Sequence, residues 1–518
     1  MQAQVIQYLL PDDLDLPGLE AHLRERHRFL EDPPSRQEQR FLDSFDWRIW
    51  QAGGELMYEQ RAQLGRLCWL PRKGDRLAEC VELPEPPRNA EPLPAGELRE
   101  RIAGALQMRV LLPLVVVRQQ CRTLRLLNED DKTVLRLLLQ DNQFASPDGR
   151  RKGELEGRLE LIPLKGYHKP LQQLRTELDR LGLKSVRESL FESALIGIGR
   201  HPMDYSSKLN YRLDPEARSD VTAKHILLSL LDTLEANVEG AKADLDSEFL
   251  HDLRVASRRS RSAMSQIKGV FDPRELEPFR KGFAWIGQIT GPTRDMDVYL
   301  LKYPAYRDSL PQRLRSDLTP FHEFLHRQHQ QAQQAMVRKL NSPHFRKLIK
   351  SWRQWLEEPV PKISFQPNAL QPISRLADRR IHKIYKRVLK DGRLVKPDSP
   401  PERLHELRKD CKKLRYLMEF FQSLYPKPQI RELIKRLKAL LDNLGDFQDF
   451  QVQATAIGHF GEQMLQEGAS VATLIAMGAL VGDLLKQQDK ARQEFAELFA
   501  QFDSKQNRQA FEGLFGGS

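Results

Sequence analysis

Apolar and polar positions alternate in two different ways along this chain. Residues 1–200 carry short apolar runs rich in β-prone side chains, separated by turn residues such as those at 128–131 and 147–149. After residue 220, apolar side chains recur at alternating steps of three and four, the spacing that one face of an α-helix requires. We therefore predict an α+β N-terminal domain, an antiparallel sheet or barrel with helices, followed by an all-α domain.

The same patterns place individual elements. In the N-terminal part we predict strands at 41–50, 66–70, 111–127, 132–140 and 157–164, and helices at 16–28, 95–106, 170–181 and 185–198. In the helical part we predict helices at 221–239, 278–288, 321–340, 373–388 and 471–501, together with one from 401. The pair Gly291-Pro292 predicts a helix stop, and the C-terminal tail should be mobile.

One segment of the sequence is repeated. Residues 250–264 read LHDLRVASRRSRSAM and residues 404–418 read LHELRKDCKKLRYLM, so that His251 matches His405 at an offset of 154 (405 − 251). The same offset relates GPTRDMDV to GDFQDFQV further along, where it pairs Gly291, Asp295 and Val298 with Gly445, Asp449 and Val452. A register held over this distance indicates two copies of one helical unit.

On a helix, each copy has an apolar seam beside a row of basic residues. The seams are Leu250, Leu253, Ser257, Ser260, Met264 and Ile267 in the first copy and Leu404, Leu407, Cys411, Leu414, Met418 and Phe421 in the second. The first basic row is His251, Arg254, Arg258 and Arg261, and the second basic row is His405, Arg408, Lys412 and Arg415. Like charges at this spacing repel, so the rows cost helix stability unless an anion lies on them. The alternative is that each row is an ordinary solvated basic face. The occurrence of the row in both copies, each time beginning with a His, favours anion binding.

These two L-H-x-L-R segments, each followed by a G-x-x-x-D element, resemble the CHAD family, named for its histidine-containing α-helical domain, over about residues 220–499. The resemblance implies two pseudo-symmetric four-helix bundles that bind inorganic polyphosphate without catalysis. The second copy departs from the pattern at Gln448 and Gln451, where the first has Arg294 and Asp297, so equal contributions from the two halves do not follow. The residues we assign to polyphosphate are His251, Arg254, Arg258, Arg259, Arg261, Lys281, Arg294, His405, Arg408, Lys412, Lys413, Arg415, Lys435 and Lys438.

The order of pieces in the N-terminal part resembles the CYTH family of triphosphate tunnels. The matching pieces are FLDSFDW, the strand with Arg118 and Arg122, NEDDKTVLRL, LIPLKGYHKPLQQL and GIGRHPMDYSSKLNY. The family's E-x-E-x-K, which would hold a divalent cation and phosphate, falls on Ala3, Val5 and Gln7, and its next arginines fall near Met57 and Glu59. The departures imply a degenerate, tunnel-like domain kept for binding or scaffolding.

Some charged residues remain as candidates in this N-terminal part. The remaining phosphate contacts would be Arg118, Arg122, Lys132, Arg136 and Lys165. Glu154, Glu156 and Glu160 alternate on one face of a strand, either as metal ligands or, as we favour, as a solvated face. His322, His326 and His329 share one helix face and are either metal ligands or part of a solvated face. We again favour the solvated face. We predict no catalytic residues, no metal site and no cofactor.

These patterns divide the chain into domains. We predict a CYTH-like domain at 1–204, a linker at 205–220, a CHAD domain at 221–502 with repeats at 221–356 and 373–502, and a tail at 503–518.

Composition narrows the surroundings in which this protein works. Of 518 residues, 30% are charged and 40% hydrophobic, and the net charge is +11, which suits a folded protein with an anionic partner. Four cysteines, Cys68, Cys80, Cys121 and Cys411, show no regular framework and indicate structural thiols in a reducing compartment. No segment has the pattern of a signal peptide or of a membrane span, so we expect a cytoplasmic protein.

Three functions compete on this sequence. Binding of inorganic polyphosphate by the basic rows comes first, with localisation to polyphosphate granules as the family implies. A divalent-metal-dependent tripolyphosphatase or polyphosphate hydrolase in the N-terminal domain comes second, and the absence of E-x-E-x-K argues against it. Nucleic-acid binding comes third, because the rows lack the interleaved aromatic residues of a base-stacking platform. The oligomeric state is not indicated.

Overall fold

The structure is a computed structural model in which residues 6–11, 13–61, 64–72, 78–164, 166–186 and 188–517 are described. It divides into two compact units, Met1–Ser206 and Ser207–Ser518, which we describe separately. Among the described residues, no helix combines the length and apolar character needed to cross a membrane.

The first unit is built on one antiparallel sheet. In chain order its strands are β1 (Ile6–Leu9), β2 (Phe29–Glu31), β3 (Ser35–Asp43), β4 (Gly54–Arg61), β5 (Leu64–Pro71), β6 (Glu79–Glu82), β7 (Leu112–Leu127), β8 (Thr133–Ala145), β9 (Lys152–Pro163) and β10 (Lys184–Ser185). The strand order is β10-β1-β9-β8-β7-β3-β4-β5-β6, and β2 pairs with β7. The antiparallel sheet predicted from the alternating pattern is therefore confirmed.

In the described part of this unit the sheet is accompanied by the helices α1 (Leu16–Arg26), α2 (Arg48–Gln51), α3 (Glu97–Leu106), α4 (His168–Arg180) and α5 (Leu190–Gly197). The helices α1 and α4 bury Leu19 and Leu178 in a core shared with leucines of β7, β8 and β9. The strand predicted over 41–50 is wrong after Asp43. The Asp43 carboxylate accepts hydrogen bonds from the backbone N–H groups of Ser44, Ile49 and Trp50, which turns the chain into α2.

The expectation that all four cysteines are thiols is also wrong. Cys68 on β5 and Cys80 on β6 form a disulfide, because these two residues lie directly opposite each other in the antiparallel pair. Spacing alone did not indicate the bond, since the two cysteines come together only when the hairpin forms. Cys121 and Cys411 are buried and take no part in this disulfide.

This pairing fixes the number of reactive thiols. We expect the purified protein, denatured without reductant, to react with a thiol reagent at Cys121 and Cys411 only, and at all four cysteines after reduction. Peptide mapping by mass spectrometry should find Cys68 joined to Cys80. Four reactive thiols before reduction, in protein prepared under air, would contradict the pairing.

The second unit consists of helices that repeat in order. They are α6 (Ser219–Lys242), α7 (Ser247–Gln266), α8 (Pro273–Ser309), α9 (Thr319–Leu340), α10 (Pro343–Glu357), α11 (Ile373–Arg393), α12 (Pro401–Phe421), α13 (Lys427–Gln466), α14 (Val471–Phe502) and α15 (Lys505–Phe515). Short 3₁₀ turns lie at Gln312–Leu314, Ser316–Leu318 and Gln422–Leu424. The starts of α6 and α11, α7 and α12, and α8 and α13 differ by 154 in each case (373 − 219, 401 − 247, 427 − 273). The all-α prediction is confirmed, and the repeat extends to the helix boundaries.

The two copies meet at equivalent positions. The Ser219 N–H donates to the Gln371 carbonyl at 3.0 Å, and the Ile373 N–H donates to the Ala217 carbonyl at 2.9 Å. The offset of 154 exchanges these two bonds, which is the relation that a local two-fold axis produces. The halves also share a core, in which the ring of Tyr299 lies 5.5 Å from that of Phe460. Their division into two separate four-helix bundles stays a prediction.

Two helix boundaries differ from the prediction for reasons of packing. The stop expected at Gly291-Pro292 is wrong, because α8 continues through Pro292. A proline inside a helix costs about 3 kcal/mol, but buried side chains on either side of it, such as Phe283 and Tyr299, hold the helix in place. The segment predicted as a tail contains α15, whose Phe511 is fully buried and stacks on Tyr385 at 3.7 Å.

Candidate functional site

The apolar seams of the repeated segments are buried, which confirms the register of both helices. The seam residues of α12 are at most 2% exposed, and those of α7 are between 0% and 7% exposed. Ser257 and Ser260 take apolar positions in the α7 seam, and their hydroxyls donate to the carbonyls of Phe283 and Ala256. Because each basic row lies one residue, about 100°, around the helix from its seam, the buried seam holds the row at its edge.

The two basic rows lie next to each other because α7 packs against α12. Across this contact the Arg258 Nε donates to the Tyr416 hydroxyl at 2.7 Å, and Arg259 pairs with Glu419 at 2.9 Å. The rows of the two copies therefore border one common surface, which we call the basic track.

In the first row, Arg254 is bound to the neighbouring helix. Its guanidinium donates to the Gly287 carbonyl at 2.9 Å and to the Thr290 hydroxyl at 2.8 Å. A Cβ at Gly291 would lie 3.8 Å from the same guanidinium, so a larger side chain there would compete with it for space. Burial lowers the pKa of Arg254, which stays cationic because an arginine begins far above neutrality.

In the second row, Arg408 holds the equivalent place with different partners. It donates to Asp449 Oδ1 at 3.1 Å and to Gln448 Oε1 at 3.3 Å. A Cβ at Gly445 would lie 3.5 Å from its guanidinium. The repeated glycine thus has the same surroundings in both copies, since each lies against the guanidinium of an arginine on the neighbouring helix.

The two histidines of the rows have opposite hydrogen-bond roles. Arg294 donates to His251 Nδ1 at 3.1 Å, and because a guanidinium has no acceptor, this Nδ1 carries no proton. At the equivalent place in the second copy, His405 Nδ1 bonds to Gln448 Oε1, an oxygen that also accepts from Arg408, so His405 donates there. The replacement of Arg294 by Gln448 therefore reverses the tautomer of the repeated histidine.

The solvated face proposed for the three histidines of α9 is wrong for His329. This side chain is 11% exposed and lies 2.9 Å from Asp297 Oδ1, and the hydrogen bond from His329 to Asp297 raises the pKa of His329. Asp297 in turn forms an ion pair with Arg294 at 3.8 Å. His329 and Asp297 therefore help to position Arg294, which donates to His251. His322 stacks on Tyr303 with ring centroids 4.1 Å apart.

Lys412 lies where the positive charge of the two rows is densest. Burial, followed by the charges of Arg408 and Arg258, lowers the pKa of Lys412 to about 8. Within the described part of the chain, no carboxylate forms an ion pair with Lys412, Arg258 or Arg261. The centre of the basic track therefore carries surplus positive charge that a bound anion would relieve.

The other residues assigned to polyphosphate lie around this centre with varied partners. Arg415 pairs with Glu419 at 2.8 Å, Lys413 with Asp410 at 2.7 Å, and Lys281 with Glu277 at 3.7 Å. Arg261, Lys435 and Lys438 are exposed. The sequence did not single out Tyr416 and Glu419, since nothing local to α12 indicates contacts that α7 makes.

Amide side chains on neighbouring strands of the first unit are joined by hydrogen bonds. Gln37 donates to Gln119, Gln119 donates to Asn142, and Gln140 donates to Glu160. Gln7, the described member of the E-x-E-x-K positions, bonds to Glu160, whose pKa is raised by burial.

The other residues of this unit that we considered as phosphate or metal contacts are mostly paired or exposed. Ala3, Val5 and Lys165 lie outside the described residues. Met57 is buried, and Glu59 is paired with Arg66. Arg118, Arg122 and Lys132 are paired with Glu38, Glu20 and Asp130. Arg136, Glu154 and Glu156 are exposed, so the solvated face holds for the two glutamates but not for Glu160.

An open cleft of about 830 Å³ lies on the first unit. Arg40, Arg118, Lys152, Glu38 and Glu154 are its charged lining residues. Among the described residues, no group of three or more His, Cys, Asp or Glu side chains is placed to hold a metal ion.

Residues 225–458 match the sequence model of the CHAD domain family. The helical unit contains a CHAD domain. The match includes both repeated segments, and therefore both rows of the basic track.

Solved structures of low similarity accompany this match. The CHAD domain from the plant Ricinus communis is 24% identical, with a TM-score of 0.48, over 56% of this chain and 94% of its own. A putative adenylate cyclase from Bacillus halodurans is 11% identical, with a TM-score of 0.25, over 36% and 92%. A putative adenylyl cyclase from Hippeastrum, described as having a dominant triphosphatase activity, is 15% identical, with a TM-score of 0.26, over 39% and 99%. No curated protein sequence matches this chain.

The position of Lys412 in the CHAD domain leads to a test of its charge. A lysine with a pKa of about 8 is about half neutral at pH 8, whereas an unperturbed lysine is almost fully charged. We expect limiting acetic anhydride at pH 8 to label Lys412 several times faster than Lys413, as measured by mass spectrometry of peptides. Lys413 is a matched control on the same helix, paired with Asp410. Equal labelling of the two amines would contradict the charge density inferred for the track.

Proposed function

We propose that this protein binds inorganic polyphosphate on the basic track of its CHAD domain without hydrolysing it. The observation that carries the proposal is the meeting of the two rows at the α7–α12 contact, where Lys412 lies among arginines and no carboxylate of the described residues is paired with it. A surplus of charge of one sign destabilises a folded protein. Because both copies of the repeated segment nevertheless carry such a row of cations, we infer that the rows bind an anionic ligand.

The chemistry of the track fits a phosphate polymer. Polyphosphate presents terminal oxygens and about one negative charge per phosphate, and it has no apolar group to recognise. Arginines offer forked hydrogen bonds to such oxygens, and lysines offer a mobile charge. Along each row the cations recur about every helical turn, or about 5.4 Å, so a flexible chain can contact several of them at once.

We assign the central contacts to Arg258, Lys412 and Arg261, whose charges no carboxylate of the described chain neutralises. Arg254 and Arg408 are held against α8 and α13 and present a fixed edge to the ligand. Arg415, Lys413 and Lys281 share their charge with carboxylates, so their contributions are smaller. Exposed Lys435 and Lys438 would extend the track along α13.

Hydrolysis in the first unit is the second candidate. The cleft lined by Arg118 and Lys152 is the observation that favours it. Against it, the E-x-E-x-K carboxylates are not present in the sequence, and Gln7 stands where the family has a lysine. We therefore propose that the first unit supports binding, and that the protein associates with polyphosphate granules.

The main test is a titration of labelled long-chain polyphosphate at near-physiological salt. Charge-assisted hydrogen bonds contribute about 1.5–3 kcal/mol each, so changing Arg254, Arg258, Arg408 and Lys412 to Ala should weaken binding by at least about a hundredfold. The matched control changes four exposed cations of α9 and α10, Arg338, Arg346, Lys347 and Lys350, to Ala. It lowers the net charge equally and should weaken binding by less than about threefold.

Phosphate release measured in the same samples decides between the two candidates. We expect none above background, with or without Mg²⁺. Mg²⁺-dependent release that survives in the quadruple track variant would transfer the function to the first unit. Equal loss of binding in the track variant and in the control would contradict the proposal, because binding would then depend on net charge and not on the residues of the track.

The lowered pKa of Lys412 gives a pH prediction. A lysine with a pKa of about 8 is about half charged at pH 8 and almost fully charged at pH 6, so the basic track gains positive charge as the pH falls through this range. We therefore expect polyphosphate affinity to rise from pH 8 to pH 6 in the wild type, and this rise to shrink in Lys412→Arg, whose side chain stays charged throughout. Fluorescence anisotropy at constant ionic strength measures the affinity. A rise of the same size in Lys412→Arg would contradict the lowered pKa of Lys412.

A further inference from the structure

A second cavity, of about 840 Å³, lies beyond the end of the second basic row. Its walls are the segment 208–212, Arg259 of α7, the turn at 422–425 and the first turns of α13. The cavity is anchored at two places. The Tyr211 hydroxyl donates to the Phe420 carbonyl at 3.2 Å, and the Leu213 N–H donates to the Ser423 hydroxyl at 3.1 Å. Its size is that of a small-molecule site.

The charge of this cavity is strongly positive. Five cations line it, and its lining carboxylate, Glu419, is already paired with Arg259 and Arg415. Among the described residues, no ion pair neutralises Arg212, Lys427 or Arg431. The buried Arg259 Nε also lacks a hydrogen-bond partner in the described structure. Such a lining favours a ligand with several negative charges.

The rest of the lining is apolar, which distinguishes this cavity from the basic track. Leu209 and Ile430 are buried beneath it, and Ile434 and the ring of Tyr211 form further apolar wall. Inorganic polyphosphate has no group that gains from such contacts, whereas burying a ring system does. Asn210 and Gln422 add amides able to donate and accept at the edge of a polar ring.

We propose that this cavity binds a nucleoside polyphosphate. The phosphates lie on Arg212, Lys427 and Arg431, and the base lies against Tyr211 and Ile434. Apart from Arg259, the residues that line this cavity are not among those assigned to polyphosphate, so the cavity gives the protein a second ligand of a different class.

The test measures the binding of ATP and of inorganic tripolyphosphate to the full-length protein by calorimetry in the same buffer. We expect ATP to bind at least about tenfold more tightly than tripolyphosphate, because only ATP uses the apolar wall. Lys427→Ala with Arg431→Ala should weaken ATP binding by at least about tenfold, and Ile434→Asp should remove the preference for ATP. The matched control, Arg346→Ala with Lys347→Ala on α10, should change ATP affinity by less than about twofold.

Each outcome separates this inference from the proposed function. No ATP binding, or equal affinities for ATP and tripolyphosphate, would overturn the nucleotide site whatever the track does. Loss of long-chain polyphosphate binding to the same extent as ATP binding in Lys427→Ala with Arg431→Ala would also overturn it, because the cavity would then be part of the track. ATP binding by a protein that does not bind polyphosphate would uphold the site while the proposed function fails. Circular dichroism and thermal unfolding of each variant establish that its fold is retained.

Discussion

The packing of α7 against α12 is the constraint on which the rest of the helical unit depends. It brings two rows of cations together, and like charges gathered at a partly buried contact oppose folding. Seams that are at most 7% exposed hold the two helices in place against this repulsion. The Tyr416 hydroxyl and Glu419 then fix two of the arginines at the contact without neutralising its centre. Hydrophobic burial thus maintains a concentration of positive charge at this contact.

Duplication explains how such a site arises, and divergence explains why its halves differ. In both copies a glycine lies beside the arginine of the row, where an added Cβ would come into van der Waals contact with the guanidinium. The exchange of Arg294 for Gln448 reverses the hydrogen bond of the repeated histidine. In the first copy His329 is paired with Asp297, whereas the second copy has Gln451 at the position equivalent to Asp297. In the first copy the contacts run from His329 through Asp297 to Arg294, whereas in the second copy Arg408 bonds to Gln448 and forms an ion pair with Asp449.

The seams, the rows and the fold classes of both units were predictable, because helical and strand periodicities are local properties of the sequence. Features that depend on contact between distant segments were not. Cys68 and Cys80 meet only across a hairpin, and His329 reaches Asp297 only because α9 packs on α8. Local rules also misjudged Pro292, where packing on both sides outweighs the cost of the missing hydrogen bond. The end of the chain looked like a tail because its two buried phenylalanines contact residues of α11 and the turn after α12.

The central claim is that the two rows form one site, and a double-mutant cycle tests it most directly. Arg258 and Lys412 belong to different copies and influence each other's charge across the α7–α12 contact. The cycle compares polyphosphate affinity in Arg258→Ala, Lys412→Ala and the double variant. Residues at one site are coupled, so we expect the double variant to differ from the sum of the single changes by more than about 0.5 kcal/mol. Additivity within about 0.3 kcal/mol would show that the rows bind independently, and would contradict this account.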